Sequence, residues 1–197
     1  MKRLSSFLPK TCLKIIYNTL FNCHLNYDIL LWGHELKKIE YLQKRAIRVL
    51  SQSQFLSHTD PLFKKENILK VQDIYNLRCI TFFYRYKHDL LPPNLNSLIQ
   101  EPQPNFHRYP TSHSIWRSNL PLSEHFTRFE HSKQSIRFCL PQIINSLPTD
   151  IVSKISTHSL IGVKAYAKKY YISLYNDNTC NEPNCYSCRF ISPLLTS

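Results

Sequence analysis

A chain of 197 residues, 43% of them hydrophobic and 13% aromatic, can build one domain, or one domain with an appendage, around a ring-rich core. It has only two glycines, Gly33 and Gly162, which argues against glycine-rich phosphate loops and repeated tight β-turns. A net charge of +12 points to a polyanionic partner, and with no apolar run of about 18 residues neither a membrane span nor a membrane partner is expected.

The opening MKRLSSFLPKTCLK is basic, but Lys10 and Lys14 interrupt its apolar run, so it does not read as a signal peptide. Leu13, Ile16, Tyr17, Leu20, Cys23, Tyr27, Leu30 and Leu31 then follow steps of three and four. This predicts a helix from about Pro9 to Trp32, stopped by Gly33. A second helix is expected over 34–50. Ile39, Leu42, Ala46 and Val49 form its expected apolar seam, with Lys37, Tyr41, Lys44, Arg45 and Arg48 on the other side. Together the two make a helical hairpin with a core face and a basic face.

Thr59 or Asp60 is placed to cap a short helix that begins at Pro61 and runs to about Asn67. Residues 71–88 carry apolar side chains around most of the circumference, which predicts a buried helix. Its FFYRY run, Phe82 to Tyr86, reads as core. Prolines 92, 93, 102, 104, 110 and 121 make the next stretch irregular. Short alternation in FTRF and SIRF suggests a small β-hairpin around 124–139, and LPQIINSLP a short helix between its two prolines. A further turn can start at Thr149 or Asp150. A last helix, capped by Ser156, Thr157 or Ser159, is expected to reach about Leu174, with Leu160, Val163, Ala167 and Tyr170 inside and Lys164, Lys168 and Lys169 outside. The fold class is therefore mainly α: a helical hairpin plus further helices, a small β-hairpin, and a proline-rich irregular middle.

Charge is unevenly spread. Residues 1–50 hold nine basic and three acidic side chains, a balance of +6 out of +12. Regularly spaced cations on a helix can follow a phosphate backbone and release its counterions, and a tyrosine among them can stack on a base or sugar. Lys37, Tyr41, Lys44, Arg45 and Arg48, joined by Lys164, Lys168 and Lys169, are the expected nucleic-acid contacts; the same residues also suit a solvated outer face. Nothing in the spacing indicates a small-molecule substrate.

Seven cysteines make an odd count. Cys12, Cys23, Cys79 and Cys139 stand singly among apolar residues, which fits reduced, buried thiols of an intracellular protein, nuclear or cytoplasmic. Cys180, Cys185 and Cys188 contain a Cys-x2-Cys pair of the kind found in zinc sites. A closed site needs four ligands. Only three are present there, with His158 as a distant fourth, so zinc is a candidate at that tail and no other cofactor is expected.

The order of motifs resembles the region after the reverse-transcriptase domain of jockey-like non-LTR retrotransposons. CHLNYDILLWG (Cys23 to Gly33) is similar to their tyrosine…Trp-Gly stretch, and LQKRAIR (Leu42 to Arg48) to the helix that follows it. HTDPLF (His58 to Phe63), with Ile68, Leu69, Ile74 and Tyr75, resembles the next block. SIRF (Ser135 to Phe138), Pro141, NSLP (Asn145 to Pro148), Ser159 and Lys164 resemble the closing segment. Leu140, Ile144 and Val163 stand where the family usually has a glycine, a tryptophan and an aromatic.

The resemblance implies the C-terminal fragment of an RNA-directed DNA polymerase, with palm and fingers upstream as partners. Residues 1–90 would be a helical thumb-like region, 91–134 a connector, 135–175 a C-terminal helical segment and 176–197 a flexible cysteine-bearing tail. A polymerase binds two metal ions through close carboxylates, and the family pairs two adjacent aspartates. The six aspartates of this chain are never adjacent, so it is expected to lack polymerase activity of its own. The alternative reading is a non-catalytic protein-interaction or structural module, a degenerate retroelement relic.

Overall fold

The computed structural model describes residues 7–27, 29–32, 36–54, 57–99, 121–123, 128 and 135–175. Among them the regular elements are helical, and no strand occurs. They are α1 (Lys10–Ile16), a π-helical stretch (Tyr17–Asn22), α2 (Cys23–Asn26), α3 (Ile29–Trp32), α4 (Leu36–Leu50), α5 (Asp60–Glu66), α6 (Val71–Lys87), α7 (Pro93–Asn96), α8 (Ile136–Asn145), α9 (Thr149–Thr157) and α10 (Leu160–Ser173). Two compact units result. One takes the chain up to Tyr75 and from Lys168 on, the other Asn76–Ala167. The segments read from the sequence are stretches of chain, whereas each unit groups residues from more than one of them.

In the first unit the opening helix is not the single regular one expected. α1 passes into wider turns, where the Cys23 N–H bonds the Asn18 carbonyl five residues back. Wider turns carry side chains more slowly round the axis, so positions four apart stay in line. Leu13, Tyr17, Phe21, Leu25 and Ile29 form the inward row. Asn18, Asn22 and Asn26 form a second row, its amides bonded to one another at 3.4 and 3.0 Å. Ile15, Thr19, Cys23 and Tyr27 form an exposed third row. Leu20, Cys23, Tyr27 and Leu31, expected inside, are therefore exposed, and Cys23 is a surface thiol. The helix breaks where Tyr27 turns to extended backbone. The stop expected at Gly33 lies outside the described residues.

α4 is also rotated from expectation. Its buried face is Leu36, Gln43, Ile47 and Leu50, while Leu42 is 51% exposed. This is a turn of about 90°, close to one residue. The cause is Gln43, which has no exposed surface. Its Nε2 donates to the Tyr17 hydroxyl (3.1 Å) and the Leu69 carbonyl (2.9 Å), and its Oε1 accepts from the Val71 N–H (2.8 Å). Both amide donors are used. The Val71 N–H, which has no partner within α6, gains one. Burial pushes the Tyr17 phenol up to about 12, against the Gln43 hydrogen bond that lowers it.

Leu13, Tyr17, Ile47, Leu50, Phe63, Ile68 and Tyr175 make this unit's core. α5 starts as expected, with Pro61 in its first turn, and the Thr59 carbonyl accepts the Phe63 N–H at 2.9 Å. With few glycines to spend, the chain stops its helices on other residues. Gln52, Asn67 and Asp89 take positive φ after α4, α5 and α6. Each is followed by an N–H reaching five residues back: Ser53 to Arg48, Ile68 to Phe63 and Leu90 to Arg85.

Tyr175 closes the unit. Its hydroxyl donates to Asp73 Oδ2 at 2.5 Å and accepts the Lys70 N–H at 2.9 Å. The Lys70 ammonium lies 4.9 Å from the ring centroid and bonds Asp60 at 2.9 Å. Burial, first, raises the Asp73 carboxyl above its ordinary range, against the pull of the Tyr175 hydrogen bond and the Lys70 charge. The fold thus holds that proton more tightly than the unfolded chain does. Stability is full below the unfolded value of about 3.9 and falls as pH rises through the folded one. Asp73→Asn keeps an oxygen for Tyr175 and removes this titration. Its stability relative to the parent chain, followed by urea unfolding, is expected to improve as pH rises above the unfolded value of about 3.9 and to level off once the folded carboxyl is ionised. A difference that stays flat with pH would contradict this.

In the second unit α6 is buried on consecutive positions from Cys79 to Tyr84, which places most of FFYRY in the core. Leu122, Leu140, Ile144, Ile151, Ile155, Val163 and Ala167 are also buried. The hairpin expected around 124–139 is not formed in its second half, and its first half lies mostly outside the described residues. Ser135 is extended (φ −71°, ψ 149°), and its carbonyl accepts the N–H groups of Phe138 and Cys139 at 3.0 Å. Ile136–Phe138 is therefore the first turn of α8, which runs through Pro141. Two alternating residues are too few to outweigh the burial of Leu140, Pro141 and Ile144 on one helix face. The Asn145 amide pairs both ways with Leu122, accepting its N–H and donating to its carbonyl at 3.1 Å. His88 Nε2 bonds the Ile155 carbonyl at 2.9 Å. α10 starts on Ser159, whose hydroxyl accepts the Gly162 N–H at 3.4 Å.

Candidate nucleic-acid interface

The residues expected to contact nucleic acid fall into two groups, on α4 and on α10. With Gln43 turned inward, Tyr41 and Arg45 point most directly away from the buried face. Tyr41 is 56% exposed, and the Arg45 guanidinium carbon sits 5.8 Å from its ring centroid. A planar cation beside an exposed ring can take a phosphate on the guanidinium and a base or sugar on the ring.

Two other cations of this ridge, Lys44 and Arg48, are engaged within the chain. Lys44 bonds Glu40 at 2.9 Å with only 17% of its side chain exposed. Glu40 lies one turn before it, the favourable order for a helical ion pair, and that signal is visible in EYLQK. Arg48 Nε donates to the Ser57 carbonyl at 2.9 Å and ties the end of α4 to the loop after it. The Lys37 side chain lies outside the described residues.

Other cations of the first quarter also serve the fold. Lys10 and Lys14 pair with Glu66, whose carboxylate is 4% exposed, and Lys14 Nζ also bonds the Glu66 carbonyl at 3.0 Å. The local surplus of charge is therefore smaller at the surface than in the sequence.

On α10, Lys169 is exposed, while Lys164 and Lys168 are half-buried. The Lys164 ammonium is pushed below its ordinary range, first by burial and then by the positive charges of Arg78 and Arg85. The sequence reading passed over these two arginines. Their spacing of seven, which puts them on one side of α6, was the available signal.

Cys180, Cys185 and Cys188 lie outside the described residues. Among the described residues no group of three or more His, Cys, Asp or Glu side chains could hold a metal ion, and no helix is long and apolar enough to cross a membrane. His158 is exposed, and its Nδ1 lies 2.8 Å from the Thr157 hydroxyl. The chain matches no known protein-family profile, no curated protein and no solved structure.

Proposed function

We propose that this chain positions nucleic acid as the non-catalytic C-terminal part of an RNA-directed DNA polymerase of the jockey-like non-LTR type. Palm and fingers of the parent protein would perform the chemistry. The supporting observation is the exposed Tyr41–Arg45 pair, on the side of α4 opposite its buried face. The net charge of +12 favours any polyanion, and the chain has no adjacent aspartates with which to bind two catalytic metals. Contacts of this kind fix the register of a duplex or hybrid and do not read its sequence.

Filter binding of the chain to an RNA–DNA hybrid tests the reading. Affinity should fall linearly in a log–log plot against salt, with a slope set by the number of phosphates engaged. Absence of binding, or binding indifferent to salt, contradicts it.

A second reading, a protein-interaction module, is favoured by a different surface. Ile15, Leu20, Tyr27 and Leu31 are exposed, and Ile15–Tyr27 contains no Asp, Glu, Lys or Arg in a chain of net charge +12. Arg45→Glu separates the two readings. Loss of hybrid binding with unchanged circular dichroism supports the first, and unchanged binding supports the second.

A further inference from the structure

Three rows of the first helix reach the surface. The middle row, Ile15, Thr19, Cys23 and Tyr27, lies opposite the buried one and is exposed throughout. Asn18, Asn22 and Asn26 run along one edge of it, and Ile16, Leu20 and His24 along the other. The pattern is arranged about position 21. Bulky Ile15 and Tyr27 lie six residues to either side of it, small Thr19 and Cys23 two, and Leu20 and Asn22 one. Residues 15–27 contain no Asp, Glu, Lys or Arg.

What this face complements is itself. Two copies of a +12 chain repel each other, and a face without charged side chains is where they approach at the lowest electrostatic cost. Symmetry then selects the direction. A two-fold axis between antiparallel helices puts like edges together, amide row beside amide row and Leu20 against Leu20 of the partner subunit. A parallel pair would set the amides of one copy beside the leucine of the other. Asparagine amides both donate and accept, so a row of them complements itself, as the bonds of 3.4 and 3.0 Å along the row already show. Thr19 and Cys23 at the centre let the helices come close, with Ile15 packing on Tyr27 of the partner subunit. Such a contact covers on the order of 500 Å² on each copy, about 1,000 Å² in all, which is the lower end for a specific interface and gives a weak, reversible dimer.

We propose that this face pairs two copies of the chain through antiparallel first helices, about a two-fold axis near position 21. The pairing deepens the protein-interaction reading by naming the partner, and rests on the same exposed surface. It uses no residue of α4.

Sedimentation equilibrium of the full chain, in reducing buffer and without nucleic acid, is run from about 5 to 500 μM, the range a weak dimer needs. The parent chain should pass from monomer to dimer. Leu20→Asp and Leu20→Lys each set like charges against each other across the axis. Each should weaken the dimer about tenfold, and an equal mixture of the two should restore it. Leu20 is 68% exposed, so both variants keep the circular dichroism of the parent. Restoration in the mixture is the mark of position 20 facing its own copy. A monomer at every concentration overturns the proposal. So does a dimer that survives both single variants, or one that the mixture fails to restore. A monomer also leaves the protein-interaction reading with an unlike partner; that reading itself falls when Arg45→Glu abolishes hybrid binding, an assay separate from self-association.

Discussion

Gln43→Leu is expected to lower the stability of the chain by about 3–5 kcal/mol, although leucine is the more hydrophobic residue and a good helix former. The site is fully buried, and one amide serves three partners. Leucine leaves the Leu69 carbonyl and the Val71 N–H in a dry interior with no bond, at about 1–3 kcal/mol each. It also takes the donor from the Tyr17 hydroxyl, which burial keeps protonated far above neutral pH. Leucine's own burial offsets part of the loss, by about 1.5–3 kcal/mol at most. Urea unfolding measures the balance. A midpoint near the parent's would mean that Gln43 is not the tie between the first helix, α4 and the start of α6.

The second large effect concerns Glu66 and is asymmetric. Lys10→Met with Lys14→Met is expected to cost about 3 kcal/mol or more at neutral pH, because a carboxylate that is 4% exposed loses both cations. Glu66→Leu should cost much less. The two lysines are 44% exposed and can turn to water, while leucine fills the buried space. The ranking is the prediction. If the glutamate variant proves the weaker protein, the buried carboxylate is not what the two lysines serve.

These residues also show what could be read from the chain alone. α4, α5 and α6 were legible because long apolar periodicity, Pro61 at a helix start and the dense apolar run around Cys79–Tyr84 are strong local signals. The phase of α4 was not. A seam chosen by hydrophobicity passes over Gln43, whose burial depends on partners 26 and 28 residues away. The row Leu13, Tyr17, Phe21, Leu25, Ile29 was hidden because a step of four fits poorly to regular α-turns, and widened turns leave no mark in composition. Ser135–Phe138 misled because alternation over two residues carries little information.

Of the candidate interface, the basic side of α4 was legible in outline. Which cations it leaves for a ligand was not. That depends on Glu40 and on the Ser57 carbonyl, and only Glu40 is a near neighbour in sequence. The pair Arg78 and Arg85 escaped notice because the aromatic run between them dominates the pattern of α6.

The division of labour along α4 is open to direct measurement: the salt dependence of hybrid binding for Arg45→Gln beside that for Lys44→Gln. Arg45→Gln should reduce the log–log slope by about 1, the loss of one phosphate contact. Lys44→Gln should leave the slope where it is, because that lysine already holds Glu40. Equal changes in the two variants, or a slope that moves with Lys44 and not with Arg45, would contradict the assignment of the exposed Tyr41–Arg45 pair as the point of contact.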